Sequence, residues 1–240
     1  MKFSIKHFIS GFIGILIFNN AIAIASPNYY FYPEGQKPSD IPADSASHTG
    51  IALSAWADAQ VDGNDALFAF GNDELAHSEI GSGSRSPARI LFNFSEAYSY
   101  ITAPIQSAKL HLYVCGASTP NPVLTMSVAR VTAAWDENTV TYNSAPAFVT
   151  TQAGYTSTLT LNSRITVDIV DIMEFERLAN AADRHGLVLL DAGTASPLLF
   201  TKESTIPEYR PYVHVFIPEP FGFLVYNIGF LICFILRNKI

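Results

Sequence analysis

The chain has 240 residues, 49% of them hydrophobic and 12% aromatic, with 14 Gly and 14 Pro; that mixture suits one all-β domain with many turns. Its formal charge is −7, and setting aside Lys2, Lys6, Arg237, Lys239 and Glu219 near the ends leaves 10 bases against 20 acids, a charge of −10. That balance argues against nucleic acid or anionic lipid as a partner, and an acidic polysaccharide would need a local basic patch or a bridging cation. Two cysteines are too few for a disulfide framework, and Cys115 and Cys233 belong to segments expected in different phases. Cys115 is expected as a buried free thiol, with an intermolecular bridge as the alternative.

Residues 1–25 have the layout of a secretory signal peptide. Lys2 and Lys6 precede an apolar stretch from Phe8 to Phe18, and Ala21-Ile22-Ala23 and Ala23-Ile24-Ala25 offer cleavage sites. The secretion translocon and signal peptidase are therefore expected partners. A retained anchor is the alternative, against which Gly11, Gly14, Asn19 and Asn20 speak. Residues 26–50 carry Pro27, Pro33, Pro38 and Pro42 around the cluster Tyr29, Tyr30, Phe31 and Tyr32. The cluster is read as an edge segment packed on a sheet, with a stacking platform for sugars as the sharper alternative, and the remainder as a loose leader.

From residue 51 to 217 the chain reads as an all-β, jelly-roll-like β-sandwich with one short helix. Ile51 to Val61 is the first strand, Asp62-Gly63-Asn64-Asp65 a turn, and Ala66 to Gly71 another short strand. The turn is dense in oxygen ligands, which makes calcium the one candidate cofactor, yet it lacks the alternating ligands and distal Glu of an EF-hand loop. No metal ligands are assigned. His77 to Pro87 is a Ser/Gly-rich loop, and Ala88 to Phe94 is a strong strand. Ile105 to Val114 alternates, with Ala108, Leu110, Leu112 and Val114 on one face and Lys109, His111 and Tyr113 on the other. Val123 to Val131 alternates likewise.

Trp135 to Pro146 follows. A tryptophan with Asp136, Glu137 and Asn138 opens a polar turn whose side chains can bond backbone amides. Thr139-Val140-Thr141-Tyr142 reads as a short strand, which Asn143 to Pro146 stops. Further on, Asp168 is a suitable N-cap for a helix between about Ile169 and His185. Ile172, Phe175, Leu178, Ala179 and Ala182 share its apolar face, Arg184 and His185 suit its C-terminus, and Gly186 suits the left-handed closing position. Leu187 to Leu190, Pro197 to Thr201 and Arg210 to Phe216 complete the strands. Lys202-Glu203 is most simply an ion pair or backbone-bonding couple near Trp135, with a sugar contact as the alternative.

The sequence Trp135, Glu137, Thr139-Val140-Thr141, Tyr142, Asn143, Ala145-Pro146 resembles the central signature of DNRLRE-type domains, secreted β-sandwich modules classed with carbohydrate-binding modules. Tyr142 stands where that family more often has Trp. Ala57-Asp58-Ala59-Gln60-Val61, Arg89 to Phe94, Ala108 to Val114, Phe200-Thr201-Lys202-Glu203 and Pro211-Tyr212-Val213 are similar to further elements of the family. The resemblance implies an extracellular polysaccharide as partner; Lys202 and Glu203, in the alternative reading given above, are the ligand-binding candidates. Trp135, Glu137, Thr141, Tyr142, Asn143 and Pro146 are the structural signature.

Residues 218–240 form a separate tail. Pro218-Glu219-Pro220 precedes sixteen uncharged residues, Phe221 to Leu236, and then Arg237-Asn238-Lys239-Ile240. Sixteen helical residues span about 24 Å at 1.5 Å each, against a hydrocarbon core of about 30 Å. The expectation is a C-terminal transmembrane helix with its basic end in the cytoplasm. Pro218, Glu219, Pro220 and Arg237 resemble the PEP-CTERM sorting signal of Gram-negative bacteria. That likeness implies an exosortase-like membrane peptidase as partner and a membrane-anchored precursor passed on to the cell surface or medium. A plain anchor is the alternative.

The sequence has no Gly-x-Ser-x-Gly elbow, no His-Glu-x-x-His and no phosphate loop, and its six histidines are scattered. Catalytic residues are therefore none, and the expected role is an exported, non-catalytic, glycan-binding or matrix module. A structural or adhesive surface protein without a specific glycan is the alternative, and a polysaccharide-degrading enzyme the third reading.

Overall fold

The computed structural model describes residues 28–35, 37–79, 87–117, 123–149, 153–158, 161–191 and 196–218. Among these are twelve strands: β1 (Asn28–Pro33), β2 (His48–Leu53), β3 (Ala57–Asp62), β4 (Leu75–His77), β5 (Ala88–Asn93), β6 (Ser107–Gly116), β7 (Val123–Arg130), β8 (Ala153–Thr158), β9 (Ser163–Asp168), β10 (Leu187–Asp191), β11 (Leu198–Phe200) and β12 (Tyr212–Phe216). One α-helix, α1 (Val170–Leu178), joins them.

Seven strands form one sheet in the order β2-β1-β12-β6-β11-β4, with β9 added beside β6. β6 is the hub: Lys109 faces His214 of β12 on one side and Asp168 of β9 on the other. The pairing of β1 with β2 is parallel and the rest are antiparallel. The second sheet, β3-β5-β10-β7-β8, is antiparallel throughout.

The alternation in β6 has the expected outcome: Ala108, Leu110, Leu112 and Val114 are all fully buried. They meet Ile90, Phe92, Met126, Val128, Leu187 and Leu189 of the opposite sheet, together with Phe31, Val213 and Val215. Each Leu, Ile or Phe so buried contributes about 1.5–3 kcal/mol. The result is an all-β structure of two packed sheets, as the patterning predicts.

The five-stranded sheet buries its other face as well. Ala59, Val61, Leu91, Ala129 and Val188 point away from the main core and are covered by Trp135, Val140, Tyr142, Ala145 and Phe148. This explains why β5 and β10 read as unbroken apolar runs, since a strand covered on both sides has no reason to alternate.

Several sequence expectations need correction. Tyr29 to Tyr32 does pack on a sheet, but inside β1 between β2 and β12 rather than at an edge, and the remainder read as a loose leader ends in the start of β2, at His48 to Gly50. Thr139 to Tyr142 is not a strand but part of an irregular cover made of turns, bridged only at Val131 and Phe148. Its β-branched and aromatic residues serve packing on the sheet beneath. Residues 66–71 are likewise turn and irregular chain, with one bridge between Gln60 and Phe70.

The helix stops at Leu178 and is followed by a 3-10 turn at Ala181–Asp183. Its buried residues are Ile172, Met173 and Glu176, while Phe175 and Leu178 are 48% and 71% exposed. The apolar stripe is therefore rotated outward, because an acid takes the inner position. The N-cap is Ile169 rather than Asp168, although Asp168 does bond the first helix amide, with Val170 N donating to its Oδ1 at 3.0 Å. Gly186 takes a positive φ of 83°, but at the entry to β10, where an added Cβ would lie 1.9 Å from the Phe92 carbonyl oxygen.

Cys115 is a free thiol, half-buried rather than buried. Among the described residues no helix is long and apolar enough to cross a membrane. Residues 1–25, expected as a signal peptide, and Glu219, Pro220, Phe221 to Leu236 and Arg237, expected as a sorting tail and span, lie outside the described residues, and Pro218 is exposed.

Candidate functional site

Three segments far apart in sequence meet at one buried polar clasp. Trp56 and Asp58 come from the start of β3, Glu137 from the Trp135 cover, and Lys202 from the loop after β11. The Asp58 carboxylate is 1% exposed. Its Oδ2 accepts from Trp56 Nε1 at 3.1 Å and from Lys202 N at 2.9 Å, while its Oδ1 has no partner among the described residues. Glu137 Oε1 accepts from Asp58 N at 3.0 Å. Lys202 Nζ donates to Glu137 Oε2 at 2.5 Å and to the Trp56 carbonyl at 3.1 Å. Glu203 Oε1 stands farther off, at 3.6 Å from Nζ.

Burial, with the Glu137 charge adding to it, lifts the Asp58 carboxyl to about 7; the Lys202 amide, the Trp56 N–H and the Lys202 charge oppose the rise. Lys202 is raised despite its burial, because Glu137, Asp58 and Glu203 favour its charged form. Lys202 is thus committed to partners within the chain, whereas Glu203 remains partly open.

The other signature residues hold the cover in place. Trp135 is half-buried and its Nε1 donates to the His185 carbonyl at 2.9 Å. Asp136 Oδ1 accepts from Asn138 N at 2.9 Å, as the composition of the turn leads one to expect. Thr141 N donates to Ser144 Oγ at 2.9 Å, and Asn143 N to the Ala66 carbonyl at 3.3 Å. Tyr142 lies under the Arg89 guanidinium at 5.4 Å, and Pro146 is buried. Gly71 lets the neighbouring loop approach Glu137 closely, since a Cβ there would fall 2.0 Å from the Glu137 carbonyl oxygen.

Asp62, in the oxygen-rich turn, is already occupied by the protein. Its Oδ1 accepts from Asn64 N at 2.8 Å, and its Oδ2 lies 3.2 Å from His77 Nε2 and accepts from Gln60 Nε2 at 3.3 Å. Among the described residues no group of three or more His, Cys, Asp or Glu could hold a metal ion.

The outer face of the seven-stranded sheet is lined with rings. Tyr30 stacks on His214 at 4.4 Å and His111 on Tyr212 at 4.3 Å, each pair being opposite in the strand register. Ile41, between β1 and β2, packs on Tyr30 and Tyr212. Asp40, in the same segment, accepts from the Tyr212 hydroxyl at 3.1 Å and pairs with Arg164 at 2.8 Å. This half of the face is therefore covered. Burial, then the charges of Arg164, His214 and Lys109, pulls His111 down to about 4, and burial lowers His214 as well.

Further along the same face a second ring group is only half-buried. Tyr209, from the 3-10 turn Pro207–Tyr209, stacks on Tyr113 at 4.2 Å and lies 4.7 Å from Phe200. Sequence reasoning missed this group, as well as Asp58 and Glu176. Alternation alone could have placed Tyr113 outward, but nothing local shows that Tyr209 crosses over it.

Glu176 is the other buried acid. It accepts from the Tyr98 hydroxyl at 3.0 Å and from the amides of His185 and Gly186 at 3.1 and 2.8 Å. These bonds fix the connection that Trp135 also grips, so it belongs to the scaffold.

With this geometry in place, comparison with known families shows that the model described as carbohydrate-binding module family 96 fits residues 50–208. The fit runs from β2 to the turn carrying Tyr209 and covers more than half of the chain. No curated protein matches the chain.

Proposed function

The chain belongs to carbohydrate-binding module family 96, and on that premise we propose that it is an exported, non-catalytic module that binds polysaccharide outside the cell. The single observation that carries this reading is the extent of the family match, which takes in β2 to β11, α1, the Trp135 cover and Lys202. The likeness of Trp135 to Pro146 to DNRLRE-type domains supports it. The leader and the Pro218-Glu219-Pro220 tail support export, retention at the membrane and processing by an exosortase-like peptidase, with a role at the cell surface or in the matrix. The exported body's acidic balance speaks for a ligand other than nucleic acid.

The test is affinity electrophoresis of the full-length chain in gels containing neutral or acidic polysaccharides, with and without calcium. Retardation by a polysaccharide, without release of reducing ends, is the expected result. Migration unaffected by every polysaccharide would leave a structural surface protein, and released oligosaccharides would make it an enzyme. Deleting Phe221 to Ile240 is expected to turn a cell-associated precursor into a directly secreted protein. A mature protein from the native host that still ends in Ile240 would make the tail a plain anchor.

A further inference from the structure

We propose that the ring of Tyr209, backed by Tyr113 and Phe200, is the stacking platform on which the module takes the face of a neutral sugar ring. This rests on the carbohydrate-binding reading above. A pyranose offers a flat array of C–H groups on one side, and an aromatic ring held rigidly with part of its surface in water complements it; the hydroxyls around the rim then need polar groups. Tyr209 is partly exposed while one side of it is supported by Tyr113 at 4.2 Å and by Phe200 at 4.7 Å.

The turn that carries Tyr209 is unusually well fixed. Arg164 donates to the carbonyls of Glu208 and Arg210, the latter at 3.1 Å. Arg210 Nε donates to the Ser204 carbonyl at 2.9 Å, and Tyr209 N to the Ile206 carbonyl at 3.0 Å. Two guanidiniums therefore bind backbone oxygens of one seven-residue segment, Ser204 to Arg210. Such fixing lowers the ordering cost when a ligand lands on the ring. The half-exposed Glu208 carboxylate beside it has no partner among the described residues and can accept from sugar hydroxyls.

The other exposed or ring-rich places fit less well. Phe175 lies under the Arg130 guanidinium at 4.0 Å, and the Tyr30–His214 and His111–Tyr212 stacks lie beneath Ile41 and Asp40. Phe68 is 65% exposed but has no ring or cation against it among the described residues. The ligand class follows from charge. Arg164 is already paired with Asp40, Arg210 is engaged by the Ser204 and Glu34 carbonyls, and the body carries an excess of acids, so among the described residues a polyanion finds no unengaged cation at this platform.

The test compares full-length wild type, Tyr209→Ala, Tyr209→Leu, Tyr209→Phe and Phe68→Ala by affinity electrophoresis in hydroxyethylcellulose, mixed-linkage β-glucan, galactomannan and alginate. Thermal melting of each variant is measured alongside. Wild type is expected to be retarded by a neutral polysaccharide. Tyr209→Ala should lose about tenfold or more in affinity, while Tyr209→Phe and Phe68→Ala bind as wild type. Should Tyr209→Ala melt early, Tyr209→Leu decides, because it keeps apolar contact with Tyr113 and Phe200 but has no aromatic face. Wild-type affinity in both the Ala and Leu variants, or retardation by alginate alone, overturns the platform while leaving the family reading intact. Absence of wild-type retardation by any polysaccharide overturns both.

Discussion

Lys202 and Glu137, 65 residues apart in sequence, meet at 2.5 Å with side chains only 20% and 12% exposed. Their contact joins the loop after β11 to the Trp135 cover, with Asp58 and Trp56 beneath. Removing one charge from a shielded pair leaves the other without compensation. Glu137→Gln and Lys202→Met are each expected to lower stability by about 3 kcal/mol in urea unfolding at neutral pH. The double variant should lose less than the sum of the two.

Asp58 gives the stability a pH dependence of defined sign. Its carboxyl titrates at about 7 in the fold, against about 3.9 in an unfolded chain, so the native state holds the proton more firmly. The favourable contribution is complete below about pH 4 and is lost as pH rises through about 7. Asp58→Asn should therefore gain on wild type between pH 5 and pH 8, by an amount on the order of 4 kcal/mol across the full window. Equal slopes for the two proteins across that range would refute the assignment.

His111 acts in the opposite direction. Buried against Tyr212 and facing Arg164, His214 and Lys109, it is held neutral, with its pKa at about 4 rather than the usual 6.5. Its stabilising contribution is present above about pH 6.5 and disappears as pH falls through 4. His111→Gln should flatten the acid side of the melting-temperature profile, which a pH series of thermal melts would reveal. In wild type this term and the Asp58 term partly cancel, so the single variants are needed to separate them.

Trp135 is a half-buried ring with a satisfied N–H, so its removal should cost less than the 3–5 kcal/mol of a fully buried tryptophan. We expect about 2 kcal/mol for Trp135→Ala. Trp135→Phe should cost about 1 kcal/mol, reflecting the lost bond to the His185 carbonyl. Both are read from chemical denaturation, with glycan retardation expected to persist in Trp135→Phe.

What the sequence revealed depended on whether the cause was local. The alternation of β6 predicted its buried face residue by residue, because one side meets the opposite sheet and the other does not. The Asp136 turn was legible for the same reason, as the bonds of the Asp136 side chain stay within three residues. Val140 and Tyr142 misled because a residue that packs flat on a sheet from above has the same chemistry as one inside a strand. Helix α1 misled because Glu176 turns inward to meet Tyr98, His185 and Gly186, a requirement no helical periodicity contains. The clasp was half legible: Lys202 and Glu137 were singled out, but the buried Asp58 between them was read only as part of a strand.

The pairing of Asn28 with Phe216 joins the first and last strands among the described residues on a single rung of one ladder. β1 can be locked between β2 and β12 only after the final strand has emerged. The side of β1 that faces β12 therefore stays unpaired until nearly the whole body has been made. The same rung sets Asn28 beside Phe216, so the chain enters and leaves the body at one and the same place on the sheet.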